Sequence, residues 1–305
     1  MLRSGIAILI LTMFMTGFFI LSCAPRANEF SLYDTATGER ISISKMATRL
    51  SEYDIVVFGE YHGNEIIHKI QADLLPYYLK HAQEIAISME MFERDTQIAL
   101  DAYLDNIMDE EDFITQARAW PNYATDYKPL IEFARQENLP VIAANVPRRY
   151  AAEVNRNGLV YLDELPEEER GYLAEEIVIT EDDYQDKFLE TMMMTSHLST
   201  MDKELLEERL FNLYAAQSLK DDTMAESIIQ HKIKEPDVKI IHFTGDFHSR
   251  GRLGMVTKIQ LLNPHLKVAT ISPYVLNDFS KFEFQEDFSN IADFVIVLHE
   301  QNKNE

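Results

Sequence analysis

Two stretches far apart in the chain end an apolar run in the same way. Ile55 to Phe58 is continuous and holds two valines, Gly59 breaks it, and Glu60-Tyr-His62 follows. Lys239-Ile-Ile-His-Phe-Thr244 leads in like manner into Gly245-Asp-Phe-His248. An unbroken apolar run of this length predicts a strand buried on both faces of a helix-covered parallel sheet. Such a sheet delivers the residues after its strands to one carboxyl edge, where open α/β folds hold their ligands. His62 and His248 are therefore expected at one site, with Glu60 beside them.

The rest of the chain alternates strand and helix signals. Phe30-Ser-Leu-Tyr-Asp and Glu39-Arg-Ile-Ser-Ile around Thr35-Ala-Thr-Gly38 read as a hairpin, and Lys45 to Glu52 as a helix. Asn64 caps a predicted helix whose apolar positions run Ile66, Ile67, Ile70, Leu74, Leu75 and Tyr78, with His68 near its start. Ile85 to Phe92, Pro140 to Ala144, Val268 to Ser272 and Phe294 to Leu298 supply further strands. The expected fold is α/β: a mainly parallel sheet with helices on both faces and a helical insertion or lid. With 305 residues, 46% of them hydrophobic, residues 30–305 are read as a single domain and 158–235 as its insertion.

Polar residues inside apolar patterns mark further candidates. Glu90 closes an apolar strand, where a carboxylate is costly unless paired, hydrogen-bonded or metal-bound. Gln217 and Asp221 interrupt the apolar stripe Leu206, Leu210, Leu213, Met224 and Ile228 of a long predicted helix. They either brace a neighbouring loop or support the site. Arg148 and Arg149 follow the Pro140 strand, with Pro147 suited to the first turn of a helix. They could grip a carboxylate or simply stand solvated at that helix start. Met192-Met-Met-Thr-Ser-His197 could bind haem or copper, or fill core or interface space as methionine commonly does.

The first residues are a separate object. Arg3, an apolar run from Ile6 to Leu21, and Ile20-Leu-Ser-Cys23-Ala form the pattern of a bacterial lipoprotein signal. Residues 1–22 are expected to be removed and Cys23 acylated, leaving 23–29 as a tether; an uncleaved membrane anchor is the alternative. Cys23 is the single cysteine, so no disulfide competes for it. Export to the cell envelope follows, with an outer membrane as destination where the host has one. The net charge of -23 excludes nucleic acid as a partner and disfavours anionic lipid headgroups.

Several of these motifs, in this order, resemble the ChaN family of haem-binding lipoproteins within the Tiki superfamily. They are Gly59-Glu-Tyr-His-Gly-Asn, Ser88-Met-Glu90-Met-Phe, Gln97 with Asp101-Ala-Tyr-Leu, and Trp120 with Tyr123 and Tyr127. Ala143-Ala-Asn-Val-Pro-Arg148, Ala216-Gln217 with Asp221-Asp-Thr-Met-Ala225, and Gly245-Asp-Phe-His248 with Gly254 complete the set. The chain departs from that pattern at Ile67-His68, where two adjacent histidines are expected.

The resemblance implies a membrane-anchored protein of iron or haem uptake, and a homodimer holding two haems between protomers. Tyr123, Tyr127 and His197 are then candidate iron ligands, and Arg148 a partner for a haem propionate. Relatives in the superfamily include metal-dependent proteases and an erythromycin esterase-like branch. By that likeness His62, Glu90 and His248 would hold a divalent metal, with Glu60 or Asp246 as general base of a hydrolase. Two function classes stay open at this stage, haem binding and metal-dependent hydrolysis.

Overall fold

A computed structural model of the chain describes residues 29–195, 202–276, 284 and 286–299. Cys23 and His197 lie outside the described residues, as does the signal segment. The amino-terminal hairpin pairs β1 (Phe30–Asp34) with β2 (Glu39–Ile41), and α1 (Ile43–Leu50) follows, capped by Ser42. β3 (Ile55–Glu60) leads into α2 (Glu65–Ala82), whose cap Asn64 accepts from the Ile67 amide at 3.1 Å. Next come β4 (Ile85–Glu93), α3 (Gln97–Leu104), α4 (Glu110–Gln116), a π-turn at Tyr123–Tyr127 and α5 (Lys128–Glu137). β5 (Val141–Asn145) is followed by α6 (Arg148–Asn157), α7 (Glu167–Arg170), α8 (Asp183–Thr195) and the long α9 (Lys203–Lys234). β6 (Lys239–Gly245), α10 (Met255–Leu262), β7 (Val268–Leu276) and β8 (Phe294–His299) close the fold.

The strands form one eight-stranded sheet in the order β2-β1-β8-β7-β3-β6-β4-β5. Every pairing from β8 to β5 is parallel, while β1 pairs antiparallel with both β2 and β8. The alternation of side chains along a strand explains the two cores. Val56 and Phe58 of β3, with Ile87, Met89, Ile241 and Phe243, pack beneath α1, α2 and α5. Ile55, Val57, Ala86 and Ile240 face the other way, onto Met224, Ala225 and Ile228 of α9 and Met255 and Ile259 of α10. This is the mainly parallel, doubly covered α/β sheet that the apolar runs predict.

Some boundaries differ from the sequence reading for identifiable reasons. β4 runs three residues past Glu90, with its pairing to β5 shifted between Met89 and Glu93, so Glu90 sits inside an irregular strand end. Pro147 precedes the first turn of α6, which begins at Arg148. From Tyr214 to Ile229, α9 is buried beyond its predicted stripe. It packs on the sheet through Met224 and Ile228 and beneath α6 through Ala215, Ala216 and Leu219.

Candidate functional site

β3 and β6 are neighbours, with Gly59 level with Thr244 and Glu60 with Gly245. The two matched motifs therefore leave the sheet side by side. Both glycines leave room for a close neighbour: a Cβ on Gly59 would stand 2.6 Å from Asp246 Oδ1 and 3.0 Å from its Cα, and one on Gly245 would press on His62 Nε2 at 3.0 Å. The close approach brings the His62 ring over the β6 main chain.

Glu60 is buried and saturated with donors. Tyr127 donates to its Oε1 at 2.7 Å, His62 Nδ1 to the same oxygen at 2.8 Å, and Gln71 Nε2 to Oε2 at 2.7 Å. His68 lies behind this layer rather than in front of it: its Nδ1 is 3.0 Å from Gln71 Oε1, and its Nε2 accepts from the Gly63 amide at 3.2 Å. His62 is the outward member, with 44% of its side chain exposed and Trp120 edge-on at 5.2 Å. The hydrogen bond to Glu60 raises the His62 pKa against partial desolvation.

The β6 motif ends differently. Glu90 Oε2 accepts from Thr244 Oγ1 and from the Gly245 amide, each at 2.7 Å, while Oε1 stands 3.5 Å from His248 Nε2. His248 Nδ1 donates to Asp221, whose other oxygen accepts from Tyr184 at 2.7 Å, and Gln217 Nε2 donates to the Tyr184 hydroxyl at 2.9 Å. Burial alone would lower the His248 pKa, but the carboxylates of Glu90 and Asp221 outweigh it and raise the group to about 10. Burial alone would raise the Glu90 pKa, yet the His248 charge and the two donors hold it well below the usual range. Lower in the same layer, buried His242 bonds Ser88 through Nδ1 at 2.8 Å, and burial lowers its pKa to about 3.

Between the two motifs opens a cleft of about 660 Å³. Glu60, Tyr61, His62, Gly245, Asp246, Phe247, His248 and Arg250 line its sheet side. Phe188, Thr191 and Met192 of α8 and Gln217 of α9 line the other. A concave, mainly apolar wall with a few convergent polar groups is the usual form of a small-molecule site. Another cavity, of about 400 Å³, lies beside β5; of the cations that line it, Arg94 is spent on Ser227, Leu173, Thr223 and Glu226.

The structure brings Glu60, His62, Glu90, His248, Gln217 and Asp221 together and places other candidates elsewhere. Tyr123 and Tyr127 are buried in the main core, and Tyr127 is committed to Glu60, so neither ring reaches the cleft as an iron ligand. Arg148 is exposed and stands 3.8 Å from Glu93, at the end of β5. That strand is separated from β3 by β6 and β4. The cation that does line the cleft is Arg250, held by Asp246 at 2.9 Å and the Pro273 carbonyl at 3.0 Å. Among the described residues no three His, Cys, Asp or Glu side chains form a group that could hold a metal ion. Glu60, Glu90, Asp221 and the histidines are instead taken up by one another, by the side chains of Tyr127, Gln71, Thr244 and Tyr184, and by main-chain amides.

Sequence reasoning missed Tyr61, Phe247, Arg250, Phe188, Met192 as a cleft residue, and Tyr184. Tyr61 and Phe247 had a signal, since each is the residue before a motif histidine. Phe188 and Met192 lie four apart on one helix and so share a face.

The chain matches the family model described as haem-binding uptake, Tiki superfamily, ChaN, over residues 46–259. The solved structure of cofacial haem binding to ChaN of Campylobacter jejuni aligns with a TM-score of 0.67 at 17% identity, covering 89% of this chain and 98% of that one. An erythromycin esterase aligns at 0.47 and 15% identity, over 81% of this chain and 77% of its own. No curated protein matches the chain.

Proposed function

The chain belongs to the ChaN haem-binding uptake family of the Tiki superfamily, and from that premise we propose that it binds haem in the cleft between the β3 and β6 ends. The observation that carries this reading is the half-exposed His62 at the mouth of an aromatic and methionine-lined cleft. A histidine whose Nδ1 is fixed by a carboxylate keeps Nε2 as the metal-binding nitrogen and gains basicity there. His62 on Glu60 is such a pair. Tyr61 is the weaker candidate, because burial raises its pKa and its hydroxyl donates to the Pro273 carbonyl at 3.1 Å.

The remaining contacts fit the same ligand. Phe188, Met192 and Phe247 offer apolar contact to a flat macrocycle, and Arg250 offers a charge for a propionate. Haem is read as cargo, so the task of these residues is to hold and release it. Acylation of Cys23 would keep the protein on a membrane of the cell envelope, where an iron-uptake role places its ligand.

The test is titration of the mature protein with haemin, followed at the Soret band. His62→Ala is expected to weaken binding at least tenfold and to shift the band, whereas Tyr61→Phe keeps both. Unchanged affinity and spectrum in His62→Ala would remove His62 as the ligand. Labelled palmitate entering the wild type but not Cys23→Ala is the matching check on the anchor.

A further inference from the structure

We propose that the cleft opens toward the membrane that holds the protein, so that its ligand passes between cleft and bilayer at one surface. The inference rests on the lipid-anchor reading of Cys23 and adds an orientation to it. Strand register fixes the point where the chain enters the fold. Phe30 of β1 is opposite Leu298 of β8, and Leu298 is level with Val275 of β7. Ile271, four residues before Val275, is level with Phe58 of β3. β3 ends at Glu60, two residues beyond Phe58, so Phe30 stands on the carboxyl edge, past the end of β3. Three strand spacings separate β1 from β3, or about 14 Å.

The tether is too short to undo this placement. Cys23 precedes Phe30 by seven residues, which span at most about 25 Å when fully extended. A folded chain of this length has a radius of gyration of about 19 Å and is on the order of 50 Å across. A lipid on Cys23 therefore holds the carboxyl edge nearer the bilayer than the opposite edge.

The rim of the cleft suits that position. Tyr61 lines the cleft and is exposed, Met193 and Met194 (77%) are exposed and follow the lining residue Met192, and Val275, 40% exposed, lies on β7 beyond the level of Phe58. Exposed apolar side chains around a cleft are suited to the interfacial region of a bilayer. The opposite edge exposes Ile233, Leu261 and Leu262 as well, so surface hydrophobicity alone does not choose between the edges and the tether does. The charge of -23 keeps the body off anionic headgroups. Contact then depends on the acyl chains and the apolar rim, and a zwitterionic surface is the partner that fits.

The full chain is tested after acylation in a bacterial host and reconstitution into phosphatidylcholine vesicles carrying a quencher-labelled lipid. Val275→Cys reports the carboxyl edge and Leu261→Cys the opposite one; acylated Cys23 takes no thiol-reactive dye. The Val275 fluorophore is expected to be quenched at least threefold more than the Leu261 fluorophore, and the difference to vanish in Cys23→Ala. Equal or reversed quenching in protein that carries palmitate and floats with the vesicles overturns the orientation and leaves the anchor standing. Absence of palmitate from the wild type overturns the anchor, and the orientation with it. Energy transfer between Val275 fluorophores on separate chains, without quenching, would make the rim an interface between copies and overturn the proposal.

Discussion

β3 and β6 end in the same Gly-x-x-His pattern, yet their histidines serve opposite ends. His62 is tied to one carboxylate through Nδ1 and keeps nearly half of its side chain in solvent. His248 is buried between two carboxylates, Glu90 and Asp221, and is braced further by Tyr184 through Asp221. The difference comes from what packs over each strand end. Over β6 lie α8 and α9, which supply Tyr184, Gln217 and Asp221; in front of His62 lies the cleft. A repeated motif thus fixes where two side chains emerge, and the covering helices decide how far each is exposed in the cleft that both line.

The largest expected effect lies on the buried side. Glu90→Gln or Asp221→Asn leaves a charged imidazole in the core short of one counter-charge, and breaking a buried ion pair from one side costs roughly 3–5 kcal/mol. Thermal and urea unfolding should show this loss in both variants. Glu90→Gln also weakens the acceptor of the Gly245 amide and Thr244 hydroxyl, so it should be the more damaging. A loss below about 1 kcal/mol in both variants would show that the buried triad contributes no more than a typical surface ion pair.

The same region should give stability a distinct pH profile. The His248 pKa is raised from 6.5 to about 10, so its stabilisation is complete below pH 6.5 and is lost as pH rises through 10. Glu90 is held well below 4.5, so its contribution is present above pH 4.5 and is lost as pH falls through the depressed value. The unfolding midpoint should decline between pH 6.5 and 10, and His248→Gln should flatten that decline. An identical slope in the variant would assign the decline to other groups.

His62 should behave in the opposite manner. Its raised pKa carries little stability, because a side chain 44% exposed is screened by water. His62→Ala should leave the unfolding midpoint nearly unchanged while lowering haem affinity at least tenfold, about 1.4 kcal/mol of binding free energy. A large loss of midpoint with unchanged affinity would reverse the roles assigned to the two histidines.

Much of this arrangement was legible because it rests on patterns local to the chain. Continuous apolar runs broken by glycine gave β3 and β6 and so the two histidines. Glu90 stood out as a charge in an apolar strand, and Gln217 and Asp221 as polar breaks in an apolar helix face; all three reach the His248 network. Partnerships that depend on which helix covers which strand left no such mark. Gln71 and Tyr127 meet at Glu60 only because α2 and α5 lie on one face of the sheet, and Tyr184 meets Asp221 only because α8 crosses α9. The same limit explains Arg148: it follows a strand end, but β5 is at the far edge of the sheet. Arg250 follows β6 and reaches the cleft. Tyr123 and Tyr127 are candidate ligands only through the family resemblance, and the π-turn directs both rings into the core.

The smallest expected effect tests whether the exposed histidine depends on the layer behind it. Tyr127→Phe removes one donor from Glu60 and leaves a carboxylate still held by Gln71 and His62. A hydrogen bond to a charged group contributes about 1.5–3 kcal/mol, and two remaining donors should keep the loss near the lower end. With less of its charge satisfied by the phenol, Glu60 should draw the His62 proton more strongly and raise the imidazole pKa further. Haem affinity should then fall more steeply on acidification in Tyr127→Phe than in the wild type, while at neutral pH the two remain within about threefold, under 1 kcal/mol. NMR titration of the His62 ring in the unliganded proteins measures the pKa directly. A His62 pKa unchanged or lower in Tyr127→Phe would break the link between the buried tyrosine and the exposed histidine.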